Sequence, residues 1–251
     1  MIGVWAVGLA IALGTGYLWR SWRPVQGPAT PGLPLFEEKY HKEISPPRKP
    51  EPFLSRSYPK ENGLPLVAIV IDDLGYQKQL ALDFIELEAP LTLSFLPQAP
   101  FAGELVRQAF QKGKETMLHL PMEPKEFPQV DPGPMALLTQ MSNEEIQNIL
   151  VKDLEAFPQV VFLDSRTTPY SAVFPLASQL GVKAIQRDIF LDNNIEPDAI
   201  REQMELLIRL ARERGFAVAC GHPYPQTMLV IKEKTAELQQ KVHLVPLSGL
   251  F

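Results

Sequence analysis

Cysteine is nearly absent from this sequence. A single one, Cys220, in 251 residues excludes an internal disulfide framework. A basic surplus is absent too: 24 Lys and Arg against 29 Asp and Glu leave a net charge of −5, which offers no electrostatic footprint for nucleic acid. Histidine is scarce, with four in the chain, so each can be weighed by itself. Charge is missing altogether from the opening run MIGVWAVGLAIALGTGYLW, up to Arg20. As a helix this run would be about 28 Å long, close to the hydrocarbon thickness of a bilayer. Trp5, Tyr17, Trp19 and Trp22 fall near its ends, where amphipathic rings prefer the interface. No basic n-region and no Ala-x-Ala site are visible. Residues 1–22 therefore read as an uncleaved transmembrane anchor, with a signal segment as the rival reading. Arg20 and Arg23 follow the span, and a positive-inside reading alone would leave the remainder in the cytoplasm.

Proline is plentiful, 25 in all, and unevenly spread. Residues 23–64 are dense in Pro, Lys, Glu and Ser, as in PATPGLPLFEEKYHKEISPPRKPEP. Such a stretch cannot bury enough apolar surface to offset its ordering entropy, and it reads as a flexible stalk in which His41 is a solvated polar residue. From Leu66 the pattern changes to short apolar runs alternating with amphipathic segments. Strands are expected at 66–71, 91–96, 115–120, 160–164, 183–187, 216–220 and 242–246. Helices are expected at about 77–88, 101–112, 142–156, 171–180, 197–214 and 225–239. Ser142 and Glu145 have capping-box spacing, Pro197 suits a first helical position, and Gly215 follows Arg212 and Arg214 as a helix stop. Strand–helix alternation predicts an α/β fold with a parallel sheet or barrel, whose active residues gather at the carboxyl ends of the strands.

Those strand ends are rich in chemistry. LVAIVIDDLGYQ ends in Asp72 and Asp73, KETMLHLPMEP carries His119 and Glu123, and VVFLDSRT carries Asp164 and Arg166. The next strand delivers Arg187 and Asp188 with Asp192 just beyond, and VACGHPYP delivers His222. Each has an ordinary explanation. One aspartate can cap a helix, which still leaves the second unexplained. His119, between Leu118 and Leu120, can be a core histidine; Asp164 and Arg166 can form a plain ion pair; His243 reads as structural. The convergence of Asp, His, Asp and Arg/Asp on successive strand ends outweighs those readings taken singly and points to a catalytic site, or descent from one. An aspartate and a histidine suit a Zn²⁺-like ion, with a further carboxylate or water completing its shell. The adjacent aspartates suit a division of labour, one ligand and one base.

IVIDDLG, LHLPMEP, FLDSRT, RDIFLDN and GHPYPQT together resemble the divergent polysaccharide deacetylase family, over roughly Pro65 to Phe251. The resemblance implies a NodB-like distorted (β/α) barrel for residues 65–251. In the NodB-type relatives Thr-Phe-Asp-Asp-Gly supplies a base and then a metal ligand, which carries over to Asp72 as base and Asp73 as ligand. Their His-x-x-x-His pair falls on His119 and Glu123, and their late acid histidine on His222. Asp164 is added to the catalytic set, and Arg166, Arg187 and Asp188 to the substrate-binding set. The family's Asn-Asn-His-Met-Gly-Ser stretch is absent: FPQV runs straight into VFLDSRT. One strand–helix unit, on the order of 30 residues, is missing there. The resemblance implies a divalent cofactor, Zn²⁺ first among candidates, and an acetylated carbohydrate polymer as substrate. It also implies a globular domain tethered on the extracytoplasmic, periplasmic side of the membrane. The alternative is an inactive deacetylase-fold protein that binds glycan or serves as an envelope scaffold.

Overall fold

In a computed structural model the described residues are 9–11, 63–124, 126–154, 162–165, 174, 177 and 183–251. All but the last two residues of the expected stalk, most of residues 1–22, most of the expected helix at 171–180, and Arg166 lie outside them. Leu9–Ile11 (β1) is extended and pairs antiparallel with Phe162–Asp164 (β5). Among the described residues no helix is long and apolar enough to cross a membrane.

The central strand is Leu66–Leu74 (β2), and its residues explain its place. β-Branched and apolar side chains run without a polar interruption from Leu66 to Ile71, as a strand covered on both faces requires. Val67, Ile69 and Ile71 enter a core beneath the helices, while Leu66, Ala68 and Val70 enter a second core on the opposite face. The chain continues through Lys78–Glu86 (α1), Thr92–Phe95 (β3), Ala102–Gln111 (α2), Glu115–Leu118 (β4) and Asn143–Leu154 (α3). Beyond β5 come Ala184–Gln186 (β6), Ile189–Phe190 (β7), Pro197–Arg214 (α4), Phe216–Gly221 (β8), Pro225–Lys241 (α5) and His243–Leu244 (β9). Six strands form a parallel sheet, five of them in the order β4-β3-β2-β8-β7 and the sixth, β9, paired with β2. β8 runs along one edge of β2, and β9 and then β3 along the other. β5 and β6 pair in parallel in a separate sheet with β1.

Leu163 and Ile185 of that smaller sheet meet Leu66, Ala68, Val70 and Val218 in the second core, so the two sheets enclose it between them. The expected barrel is thus present as two facing sheets, and among the described residues β4 and β5 belong to different ones. Local signals behave as their chemistry requires. Ser142 and Glu145 close a reciprocal capping box at 2.8 and 3.3 Å. Gly215, at φ +88°, returns its N–H to Ala211 and ends α4.

Candidate active site

Adjacent residues on a strand point to opposite faces, so two neighbouring aspartates should not share a site. β2 breaks that rule at its end. Its register against β3 runs Ile71 to Leu93 and then Leu74 to Phe95, which sets Asp72 and Asp73 together opposite Ser94 alone. Asp73 occupies the left-handed region at φ +58°, unusual for a residue with a Cβ. The bulge turns both carboxylates toward His119, just beyond β4. His119 Nδ1 lies 2.6 Å from Asp72 Oδ1 and 3.2 Å from Asp73 Oδ1. A ring nitrogen carries one N–H, and Asp72 takes it. Asp73 Oδ1 is left buried without a hydrogen bond.

The electrostatics follow from this crowding. Burial works against ionisation of Asp72, yet the charge and hydrogen bond of His119 outweigh it and hold the carboxyl at about 2. Ser94 turns a buried hydroxyl toward Asp72 at a range that favours the carboxylate without a full hydrogen bond. Asp73 moves the other way, raised by burial and by the neighbouring Asp72 charge. For His119, burial favours the neutral ring, but the two aspartates push it up to about 9. Cys220 sits in β8 with its Sγ 3.9 Å from Asp72 Oδ2; burial raises its thiol well above the ordinary range, so it is a weak donor and not a nucleophile.

His222 completes the arrangement from the end of β8. Its charge is felt by both Asp72 and Asp73. Asp192, fully buried after β7, holds it: Oδ1 accepts from Nδ1 at 2.8 Å, and Oδ2 accepts the His222 backbone N–H at 2.6 Å and the Thr227 hydroxyl at 2.7 Å. Against the opposing effect of burial, Asp192 raises His222 to about 9. Asp192 was seen in the sequence only as a residue beyond Asp188. What marks it in the fold is its place two residues past β7, where it meets His222 just beyond β8.

Several expected site residues are placed elsewhere. Glu123 is not brought to the cluster: its carboxylate accepts the Thr139 backbone N–H and hydroxyl, each at 2.9 Å, clasping the loop between them. Spacing by four residues could not reveal this, because the chain after His119 is a loop and not a helix. Asp188 serves the scaffold, pairing with Arg214 at 2.7 Å and accepting the Val218 N–H at 2.8 Å. Asp164 is buried in the smaller sheet, where Gln186 donates to it at 3.4 Å. The Arg187 guanidinium lies 3.4 Å over the Phe190 ring, whose centroid is 5.5 Å from that of His222, so it flanks the site at one remove.

Asp72, Asp73 and His119 each offer one ligand atom, and these lie within 4.8 Å of one another. Two carboxylates and an imidazole are a donor set for a divalent cation, and the orphaned Asp73 oxygen is the polar atom such an ion would satisfy. A carboxylate–histidine cluster at the carboxyl edge of a parallel sheet, faced by a second histidine held by a buried carboxylate, defines a hydrolase-like α/β domain. The chain belongs to the divergent polysaccharide deacetylase family, whose model matches residues 69–163 and 159–251. It is similar to the uncharacterized protein YibQ of Escherichia coli K12, with 29% identity over 214 residues, covering 73% of this chain and 66% of that one. An uncharacterized protein of Haemophilus influenzae Rd is 28% identical over 213 residues, covering 74% and 76%. The fold also resembles the crystal structure of the uncharacterized protein ATU2773 from Agrobacterium tumefaciens C58, with a TM-score of 0.70, 20% identity, and 75% and 89% of the two chains covered. The family match comes in two pieces meeting at 159–163, where FPQV joins VFLDSRT. The 214 positions aligned to the E. coli relative outnumber the residues in 73% of this 251-residue chain, so the alignment carries gaps in this chain.

Proposed function

We propose that the protein is a metal-dependent carbohydrate deacetylase that removes acetyl groups from an amino-sugar polymer in the cell envelope, tethered by its N-terminal segment. The observation that carries this reading is the bulge that brings Asp72 and Asp73 onto one histidine and leaves a buried carboxylate oxygen unpaired. Asp73 and His119 would hold the ion, with Zn²⁺ the first candidate. Bound there, a divalent ion supplies an acidified water and polarises the acetyl carbonyl. The chain's own groups do the proton work. Asp72 is ionised across the neutral range, the form that accepts a proton from the attacking water. His222, pushed up to about 9, carries the proton that the leaving amine needs. Asp192 keeps that imidazole in one orientation with Nδ1 as its donor.

A second reading has its own support. The cluster offers three protein ligand atoms among the described residues, Glu123 being engaged by Thr139. If Asp72 is kept as base, two remain for the ion, fewer than the three of a typical catalytic zinc site. An inactive relative that retains glycan binding fits that count. Metal content of the purified full chain against an Asp73→Ala, His119→Ala double variant separates the two, together with acetate release from acetylated chito-oligosaccharides. Near-stoichiometric metal lost in the variant, with acetate release, supports the enzyme. Folded protein without metal in either form overturns it in favour of the binding protein.

A further inference from the structure

We infer that Leu9–Ile11 is a closing strand for the globular domain, so that the uncharged N-terminal run occupies either the sheet or a bilayer, never both at once. The inference rests on the tethered reading of residues 1–22 and adds a second seat for them. β1 is an end strand of the smaller sheet and also neighbours β4, the end strand of the six-stranded sheet. It therefore lies where the two sheets would otherwise part. Among the described residues its pairing with β5 is antiparallel, whereas the other strands pair in parallel. Parallel neighbours are tied together by crossover connections, a constraint that a segment arriving from the N-terminus does not share.

Backbone hydrogen bonding explains why β5 needs that neighbour. Phe162 N–H donates to Lys183 O at 2.8 Å, and Arg187 N–H donates to Asp164 O at 3.0 Å, so residues 162 and 164 turn their backbone groups toward β6. These groups alternate along a strand, which turns the N–H and C=O of Leu163 the other way, toward its register partner Ala10. Leu163 is fully buried in the second core. A buried N–H and C=O must find partners, and pairing with Ala10 supplies both. The border is apolar as well: Phe162 and the half-buried Ile146, Ile149 and Leu150 of α3 pack against Leu118 and Leu120. An uncharged segment suits it.

The run itself is compatible with both seats. Gly3, Gly8, Gly14 and Gly16 each weaken a helix in water, whereas membrane-spanning helices tolerate glycine. Leu9–Ile11 falls at the middle of the run, so a helix crossing the bilayer would hold it at mid-depth, out of reach of β5. About fifty residues separate Ile11 from Gly63, up to about 170 Å of extended chain, enough to reach either seat.

Ile11 and Phe162 form a pair without mutual hydrogen bonds, the closer spacing of an antiparallel ladder and within disulfide reach. The test oxidises the full-length Ile11→Cys, Phe162→Cys variant in lipid-free buffer, with the buried Cys220 left in place. Oxidised and reduced forms are then floated with phosphatidylethanolamine–phosphatidylglycerol vesicles. The oxidised chain should be a cross-linked monomer, formed at least about tenfold faster than in Val7→Cys, Phe162→Cys. It should also float at least about tenfold less than the reduced chain. Hydrogen exchange at the Leu163 amide reads the same seat if the cysteine pair does not fold: Ala10→Pro should speed it about a hundredfold over wild type. No cross-link above the shifted pair, a cross-link between two chains, or Leu163 exchange untouched by Ala10→Pro overturns the closing strand. Equal flotation of the two forms overturns the exclusion; where neither floats, the tether falls with it and the strand stands. Flotation without a cross-link would remove the strand and leave the tether.

Discussion

Replacing Asp192 by Asn should lower the titration of His222 by about two units, and the size follows from what surrounds the carboxylate. Its side chain is fully buried and accepts three hydrogen bonds, from His222 Nδ1, the His222 backbone and Thr227. A rise of His222 from 6.5 to about 9 is worth about 3 kcal/mol of preference for the imidazolium. Burial opposes that rise, and Asp192 heads the groups that produce it, with Asp73 and Asp72 contributing less. An asparagine of similar volume removes the charge, and its amide can accept from only one side, so one of the three donors loses its partner. Proton-exchange NMR of the imidazole resonances measures the change directly. His222 is raised in the fold, so its stabilisation is complete below 6.5 and is lost as pH climbs through about 9. His119, also pushed up to about 9, adds a slope in the same window. The difference between wild type and variant isolates His222: the variant should unfold with a shallower pH dependence from 6.5 to about 9. A variant whose His222 titrates within about half a unit of wild type refutes the assignment of Asp192 as the dominant partner.

Glu123→Gln should leave metal uptake unchanged, because Glu123 is committed to Thr139; a loss equal to that of His119→Ala would return Glu123 to the ligand set. Gly75→Ala should cost about 3 kcal/mol in urea unfolding, since Gly75 sits at φ +126° and a Cβ there would lie 2.5 Å from the Ala99 Cβ; a neutral result would contradict that contact. Asp153 has a buried oxygen without a partner, and burial pushes its carboxyl up to about 6, offset in part by Lys152. Its ionisation therefore costs stability as pH rises from 3.8 through about 6. Asp153→Asn should gain about 1–3 kcal/mol over wild type near pH 8 and nothing near pH 4; the same difference at both pH values would show that burial of the charge is not the cause.

Apart from the helix expected at 171–180, most of which lies outside the described residues, the strands and helices from Leu66 onward were legible because hydrophobic period and end signals agree there. The six apolar residues before Asp72 require a strand buried on both faces, and Ser142, Pro197 and Gly215 mark helix ends by chemistry that acts locally. His222 and the Asp72–Asp73 pair were legible as strand-end residues. Their geometry was not, because strict alternation sends neighbouring aspartates to opposite faces and only pairing with β3 creates the bulge. Glu123 and Asp188 were misread for a related reason. Chain spacing says where a residue lies along the sequence, whereas Thr139 and Arg214, which claim those carboxylates, come from distant segments. Asp192 carried no local signal strong enough to separate it from its acidic neighbours, since its role exists only once β7 lies beside β8.

The absence of the Asn-Asn-His-Met-Gly-Ser stretch bears on the proposed activity through where it falls. Asp72 and Asp73 end β2, His119 follows β4, Asp192 follows β7 and His222 follows β8, and all four strands belong to the six-stranded sheet. The two matched pieces of the family model overlap at 159–163, a range that reaches into the first two residues of β5 in the smaller sheet. A strand lost there would leave β2, β4, β7 and β8 with their own partners, so the cluster and the Asp192–His222 pair would keep their support. It would also separate them from Asp164, which sits in the smaller sheet. On the proposed reading, a unit deleted there would remove a donor to the ion without disturbing Asp72 or the Asp192–His222 pair. The proposed activity then turns on ligand number, which metal content reads directly.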